Sequence, residues 1–221
     1  MKRKIGLLTI GQTPRIDLTP EINCFLGEES ELVEMGAIDA LTQSELRGLQ
    51  PSRNEATYIT RLKDGTSCTL SKRRLLPYIQ EKIHNLERSG VSSTILACTG
   101  KFPTFSHEKL IFFPDKLMNG LIKNLLTNGT LGVLGPLSEQ EGYLRKKWEG
   151  ASLGIEYAAV SPYGSEDFEL PSKRLKERGV DLIVLDCMGY TQQQKAIVRN
   201  TSNLPVVLPR SIIAKVADEL S

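Results

Sequence analysis

Two cysteines, Cys98 and Cys187, stand behind short apolar runs at residues 94–97 and 182–185, and each is followed two residues later by a glycine. Runs of this length bounded by glycine read as buried strands, which puts both thiols at strand carboxyl ends, where loops and helix N-termini present backbone N–H groups to a ligand. Two thiols flanking one carbon suit proton exchange: a thiolate removes a proton from one face while the opposite thiol delivers one to the other. That is two-base racemisation or isomerisation. The role requires one sulfur to be shifted toward thiolate by helix N-termini or nearby cations. Taken singly, each cysteine also reads as a small buried hydrophobe; two at matching strand ends favour chemistry. Cys24 and Cys68 lack that placement and read as packing residues.

The residues beside the thiols fit a small carboxylate ligand. Gly11-Gln12-Thr13-Pro14-Arg15 follows the first apolar run, so Gln12, Thr13 and Arg15 are expected at the ligand. The Arg15 guanidinium there would clamp a carboxylate bidentately; alternatively the segment caps a helix and Arg15 pairs with Asp17 or solvent. Thr99 and Gly100 offer a hydroxyl and bare backbone beside Cys98, and Met188, Gly189 and Tyr190 flank Cys187 in the same way. Ser138 and Gln140, after Gly135-Pro136, are the corresponding polar candidates in the second half, with a helix cap as the other reading of Ser138. His84 and His107 have no evident thiol or serine partner in the sequence. No histidine and cysteine spacing suggests a metal site, and neither glycine-rich phosphate motif occurs, so no cofactor is expected.

Those loops need a scaffold, and alternating apolar runs and helical patterns indicate βα units on parallel sheets. Strands are expected at residues 4–10, 94–97, 131–134 and 182–185. A helix over 72–89 carries Leu75, Leu76, Ile79, Ile83 and Leu86 at helical spacing behind Ser71 as N-cap. Shorter helices are expected at 170–178, with Gly179 as its C-terminal cap, and at 192–200. Residues 57–62 and 67–70, joined by Lys63-Asp64-Gly65-Thr66, read as a β-hairpin. The order strand with glycine, strand with cysteine, strand with proline, then helix occurs twice; residues 110–126 around Pro114 echo 204–220 around Pro209. The expected fold is therefore α/β, with two pseudo-symmetric Rossmann-like lobes of mostly parallel sheet. The first lobe comprises residues 1–116 plus 206–221, the second 117–205, with the ligand cleft between them.

The bulk composition narrows the partners. A net charge of +2 on 221 residues gives no nucleic-acid footprint, and Lys72-Arg73-Arg74, the densest basic run, reads as a solvated helix start. No apolar stretch approaches the roughly 20 residues of a membrane span. The basic N-terminal opening, with no small-residue cleavage site behind it, is not read as a signal peptide, and a cytoplasmic location is expected.

On Thr9-Ile10-Gly11-Gln12-Thr13-Pro14-Arg15 with Asp17, Ser71-Lys72-Arg73-Arg74 and Leu185-Asp186-Cys187-Met188-Gly189, the chain resembles the AroM family over essentially its whole length. That family is similar to the aspartate/glutamate/hydantoin racemase superfamily. The resemblance implies the racemase-like two-lobed fold, cleft cysteines, a cytoplasmic role, a homodimer and an association with aromatic amino-acid (shikimate) biosynthesis. The chain departs from the superfamily's amino-acid racemases: Cys98-Thr99-Gly100 replaces Cys-Asn-Thr, Asp186-Cys187-Met188 replaces Gly-Cys-Thr, and residues 11–15 carry no acid. Three readings follow. The first is a cofactor-independent racemase or isomerase using Cys98 and Cys187; the second is a single-thiol isomerase or decarboxylase. The third is a metabolite-binding protein that has lost turnover.

Overall fold

The computed structural model describes residues 2–149, 153–164 and 166–221. Met1, the first residue of the basic opening, lies outside the described residues. The chain divides into two compact units, Met1–Pro114 with Ile213–Ser221, and Asp115–Ile212.

In the first unit, β1 (Arg3–Thr9), β2 (Ser30–Gly36), β5 (Ser93–Leu96) and β6 (Leu110–Phe112) form a parallel sheet in the order β2-β1-β5-β6. In the second, β7 (Gly129–Gly135), β8 (Leu153–Ala159), β9 (Leu182–Leu185) and β10 (Val206–Val207) form a parallel sheet in the order β8-β7-β9-β10. The two strand orders correspond position for position. The cysteine-bearing strand, β5 or β9, lies inside its sheet beside the glycine-ended strand, β1 or β7. The outer strands β2 and β8 were not expected from the sequence. Each pairs on one side only, and charged Glu31, Glu34 and Glu156 break the apolar runs that marked the inner strands.

Helix α3 (Lys72–Arg88) covers the first sheet. Its Leu75, Ile79, Ile83 and Leu86 are buried in one cluster with Leu8, Ile10 and Leu96. Each such side chain contributes on the order of 1.5–3 kcal/mol. Ser71 caps it by accepting the Arg74 N–H. The hairpin of β3 (Thr57–Arg61) and β4 (Ser67–Ser71) turns through Gly65, whose φ of +82° explains the glycine.

The second sheet has a core on each face, following strand alternation. Leu131, Val133, Leu182 and Val184 face Trp148 of α5 (Glu141–Trp148) and Met118 and Ile122 of α4 (Pro114–Leu125). Leu134, Ile183 and Leu185 face Leu175 of α6 (Glu169–Glu177) and Val198 of α7 (Gln192–Ser202). Gly179 ends α6 at φ +73°, the left-handed cap expected there. Helix α8 (Pro209–Leu220) begins in the second unit; in the first, its Asp218 accepts from Gly27 N at 3.0 Å and Ser30 Oγ at 2.5 Å.

Candidate active site

Both thiols sit in the same backbone turn. After β5, Ala97 N–H extends the ladder to Leu8 O (2.8 Å) and Cys98 N–H returns to Leu96 O (2.7 Å). After β9, Asp186 N–H extends to Leu134 O (2.8 Å) and Cys187 N–H returns to Leu185 O (2.9 Å). Each sulfur then accepts an amide from two residues on, Gly100 N–H at 3.4 Å and Gly189 N–H at 3.3 Å. An N–H donated to sulfur is an interaction that favours the charged form. Neither cysteine forms a disulfide, and both are half-buried. The glycines are needed for close approach: a Cβ at Gly100 would lie 2.7 Å from the Tyr58 ring, and one at Gly189 2.5 Å from Tyr163 Oη. Thr99 is half-buried beside Cys98.

The Cys187 turn is built on buried polar groups. Asp186 turns to the face opposite Cys187, where its carboxylate accepts from Lys147 Nζ at 2.7 and 2.8 Å and from Trp148 Nε1 at 2.6 Å. The Lys147 and Asp186 side chains are each 1% exposed. Asp115, at the start of α4, is buried too, and its Oδ1 has no hydrogen-bond partner. Burial pushes the Asp115 carboxyl above its ordinary value although the Lys147 charge opposes this. Arg210, 0% exposed at the start of α8, donates Nε and Nη2 to Met188 O at 2.9 and 2.6 Å. The Met188 side chain is buried. Tyr190, expected at the ligand, has its ring in the core and its hydroxyl donating to Val160 O at 2.7 Å, and burial pushes its phenol well above the ordinary value. Thr191 and Gln194 then close α7 with a capping box.

In the first unit, residues 11–15 are held from three directions. Gln12 N–H donates to Arg61 O of the hairpin at 3.1 Å, and its side-chain oxygen accepts Lys63 N–H at 3.1 Å. Thr13 gives its N–H and its hydroxyl to Asp39, both at 2.7 Å. Arg15 is buried; Nε and Nη2 fork onto Asp17 at 2.8 Å each, and Nη1 reaches Thr9 Oγ1 at 2.8 Å. The Asp17 pairing is thus the alternative the structure realises. Burial alone would raise Asp17, but the Arg15 hydrogen bonds and charge, helped by Arg61, hold its carboxyl below the usual range.

The basic run is divided. Lys72 Nζ lies 4.5 Å over the Tyr58 ring, and Arg74 ties Gly48 O and Ser52. Arg73 is 81% exposed. His84 bonds Gln80, and His107 bonds Lys109 O.

In the second unit Ser138 and Gln140 form a 3-10 turn before α5, and Ser138 makes no capping hydrogen bond. Ser138 instead borders an open groove of about 420 Å³ beside β8, shared with Glu141, Tyr157, Leu170 and Arg174. No cluster of three or more metal-ligating side chains occurs among the described residues.

Sequence reasoning missed Asp39, Lys147 and Arg210. Asp39 lies in the turn after the unexpected strand β2, and Lys147 sits in α5, a helix the sequence offered only as the other reading of Ser138. Arg210 alone carried a signal, as a charged residue directly after Pro209 where the apolar pattern of α8 begins.

Residues 5–221 match the family described as AroM protein. No protein of curated function matches the sequence. Among solved structures, the allantoin racemase from Klebsiella pneumoniae aligns at TM-score 0.59 with 13% identity, covering 99% of this chain and 87% of that one. The maleate isomerase from Pseudomonas putida aligns at 0.58 with 13% identity over 98% and 91%. The Picrophilus torridus aspartate racemase aligns at 0.54 with 16% identity over 98% and 93%. At these identities the likeness is one of fold, the Asp/Glu racemase-like α/β fold.

Proposed function

The chain belongs to the AroM family, and we propose that it is a cofactor-independent racemase or isomerase of a small carboxylate, with Cys98 and Cys187 as its acid/base pair. The observation that carries this reading is the duplicated thiol turn, in which each sulfur accepts the amide of the second residue on, from Gly100 and from Gly189. Each thiol would act on one face of the ligand, Cys98 with Thr99 beside it and Cys187 with Met188 beside it. Arg15 and Thr13 are bound to Asp17 and Asp39, so this reading gives the carboxylate to the Thr99 hydroxyl beside Cys98. The reaction is balanced within the pair: the thiolate gains the substrate proton, the opposite thiol loses one, and the enzyme ends in the mirrored protonation state. A cytoplasmic location accords with four cysteines that form no disulfide.

The test is exchange at the α-carbon in deuterated water across dicarboxylates, amino acids and acids of the shikimate pathway. Wild type should wash in deuterium, and Cys98→Ser and Cys187→Ser should each lose isomerisation by about 10²–10⁴-fold. Full isomerisation in both variants sinks the assignment. A second reading, a binding protein without turnover, is favoured by the capture of Arg15 and by the absence of an acid within residues 11–15. Thermal-shift stabilisation by a carboxylate that is never converted would decide for it.

A further inference from the structure

The Met188–Gly189 peptide is engaged at both ends. Its N–H meets Cys187 Sγ at 3.3 Å, and its carbonyl oxygen receives Nε and Nη2 of Arg210 at 2.9 and 2.6 Å. A peptide unit is planar, so a guanidinium that fixes the oxygen also fixes where the hydrogen points. Drawing electron density to the oxygen strengthens the N–H as a donor, by about 10–30% per bond in such chains. Arg210 is 0% exposed, so water screens its charge little, and a guanidinium does not deprotonate.

Among the described residues, Asp186, Tyr190, Tyr157 and Tyr163 are the other titratable groups near the turn. Asp186 turns to the opposite face, onto Lys147 and Trp148. Tyr190 is a buried neutral phenol bound to Val160 O, Tyr157 donates to Leu137 O, and Tyr163 lies over Gly189.

We propose that Arg210 is a positioning residue for Cys187, acting through the Met188–Gly189 peptide to hold an amide on the sulfur and favour its thiolate. This rests on the reading of Cys187 as a reactive thiol.

The experiment follows iodoacetamide alkylation of each cysteine in the full chain by peptide mass spectrometry, from about pH 5.5 to 9.5. It compares wild type with Arg210→Met, Arg210→Lys and Arg210→Gln, with a melting curve for each. Loss of a neighbouring charge moves a titration by about one unit or more. Arg210→Met should therefore slow Cys187 alkylation at pH 7 about tenfold and move its pH profile upward, while Cys98 and Cys24 keep their rates. Arg210→Lys should restore most of the rate. An unchanged Cys187 profile in folded Arg210→Met, or equal slowing of Cys98 and Cys187, overturns the proposal. Where Arg210→Met fails to fold, equal Cys187 profiles in the lysine and glutamine variants overturn it. Alkylation needs no substrate, so the two readings fail separately. A profile that responds to Arg210 in a protein without deuterium exchange upholds the relay and removes the enzyme; exchange with an unresponsive profile does the reverse.

Discussion

Replacing Lys147 by Met would take a buried cation from the Asp186 carboxylate, which is 1% exposed and also accepts from Trp148 Nε1 at 2.6 Å. Removing one partner of a buried pair costs about 3–5 kcal/mol, because the surviving charge stays desolvated. At about 2–4 °C per kcal/mol for a chain of this size, the midpoint should fall by roughly 10 °C. Exchanging both partners for apolar groups, Lys147→Met with Asp186→Leu, removes the stranded charge and should recover at least about half of that loss. The assay is thermal unfolding followed by tryptophan fluorescence. The chain has one tryptophan, and Trp148 lies against the pair, with Lys147 Nζ 5.2 Å from its ring centroid. The signal therefore reports on the perturbed place itself. If the double variant loses as much as the two single losses together, the pair is uncoupled and the desolvation reasoning is wrong.

Asp115→Asn should raise the neutral-pH midpoint by about 2–4 °C. Burial raises this carboxyl above its ordinary value, so its ionisation opposes folding; wild-type stability falls as pH rises through the raised value, and the variant's advantage should vanish in melting curves below the unfolded value. Gly11→Ala would put a Cβ 2.2 Å from Arg61 O and 2.3 Å from Thr60 Oγ1. Because the first of these is backbone, the hairpin must shift, at about 1–3 kcal/mol; faster tryptic cleavage after Lys63 is the expected readout, and an unaltered cleavage rate would contradict the clamp.

The sequence disclosed the buried inner strands, the hairpin and α3 because each rests on one local pattern: an apolar run, a turn glycine, a helical stripe behind a capping serine. It disclosed the two thiol turns because an apolar run, a cysteine and a glycine recur in order. The edge strands β2 and β8 escaped, since half-burial permits Glu31, Glu34 and Glu156 where a core strand would not. The partners of the loops escaped for another reason. Asp39 reaches Thr13 from 26 residues away, and Lys147 reaches Asp186 from 39; such pairings are set by tertiary packing and leave no periodic trace. For Arg15, residue type left two partners open, a carboxylate ligand and Asp17. A guanidinium suited to a carboxylate ligand found Asp17 two residues along the chain.

In both thiol turns a main-chain amide two residues on donates to the sulfur, across threonine at 99 in one and methionine at 188 in the other. On the proposed function, a half-site written in the main chain can change its lining without losing its thiol. Positions 99 and 188 are therefore natural places to randomise when searching for altered ligand preference, whereas Gly100 and Gly189 should come back from any selection as glycine, each because an aromatic ring already fills the space a side chain would need.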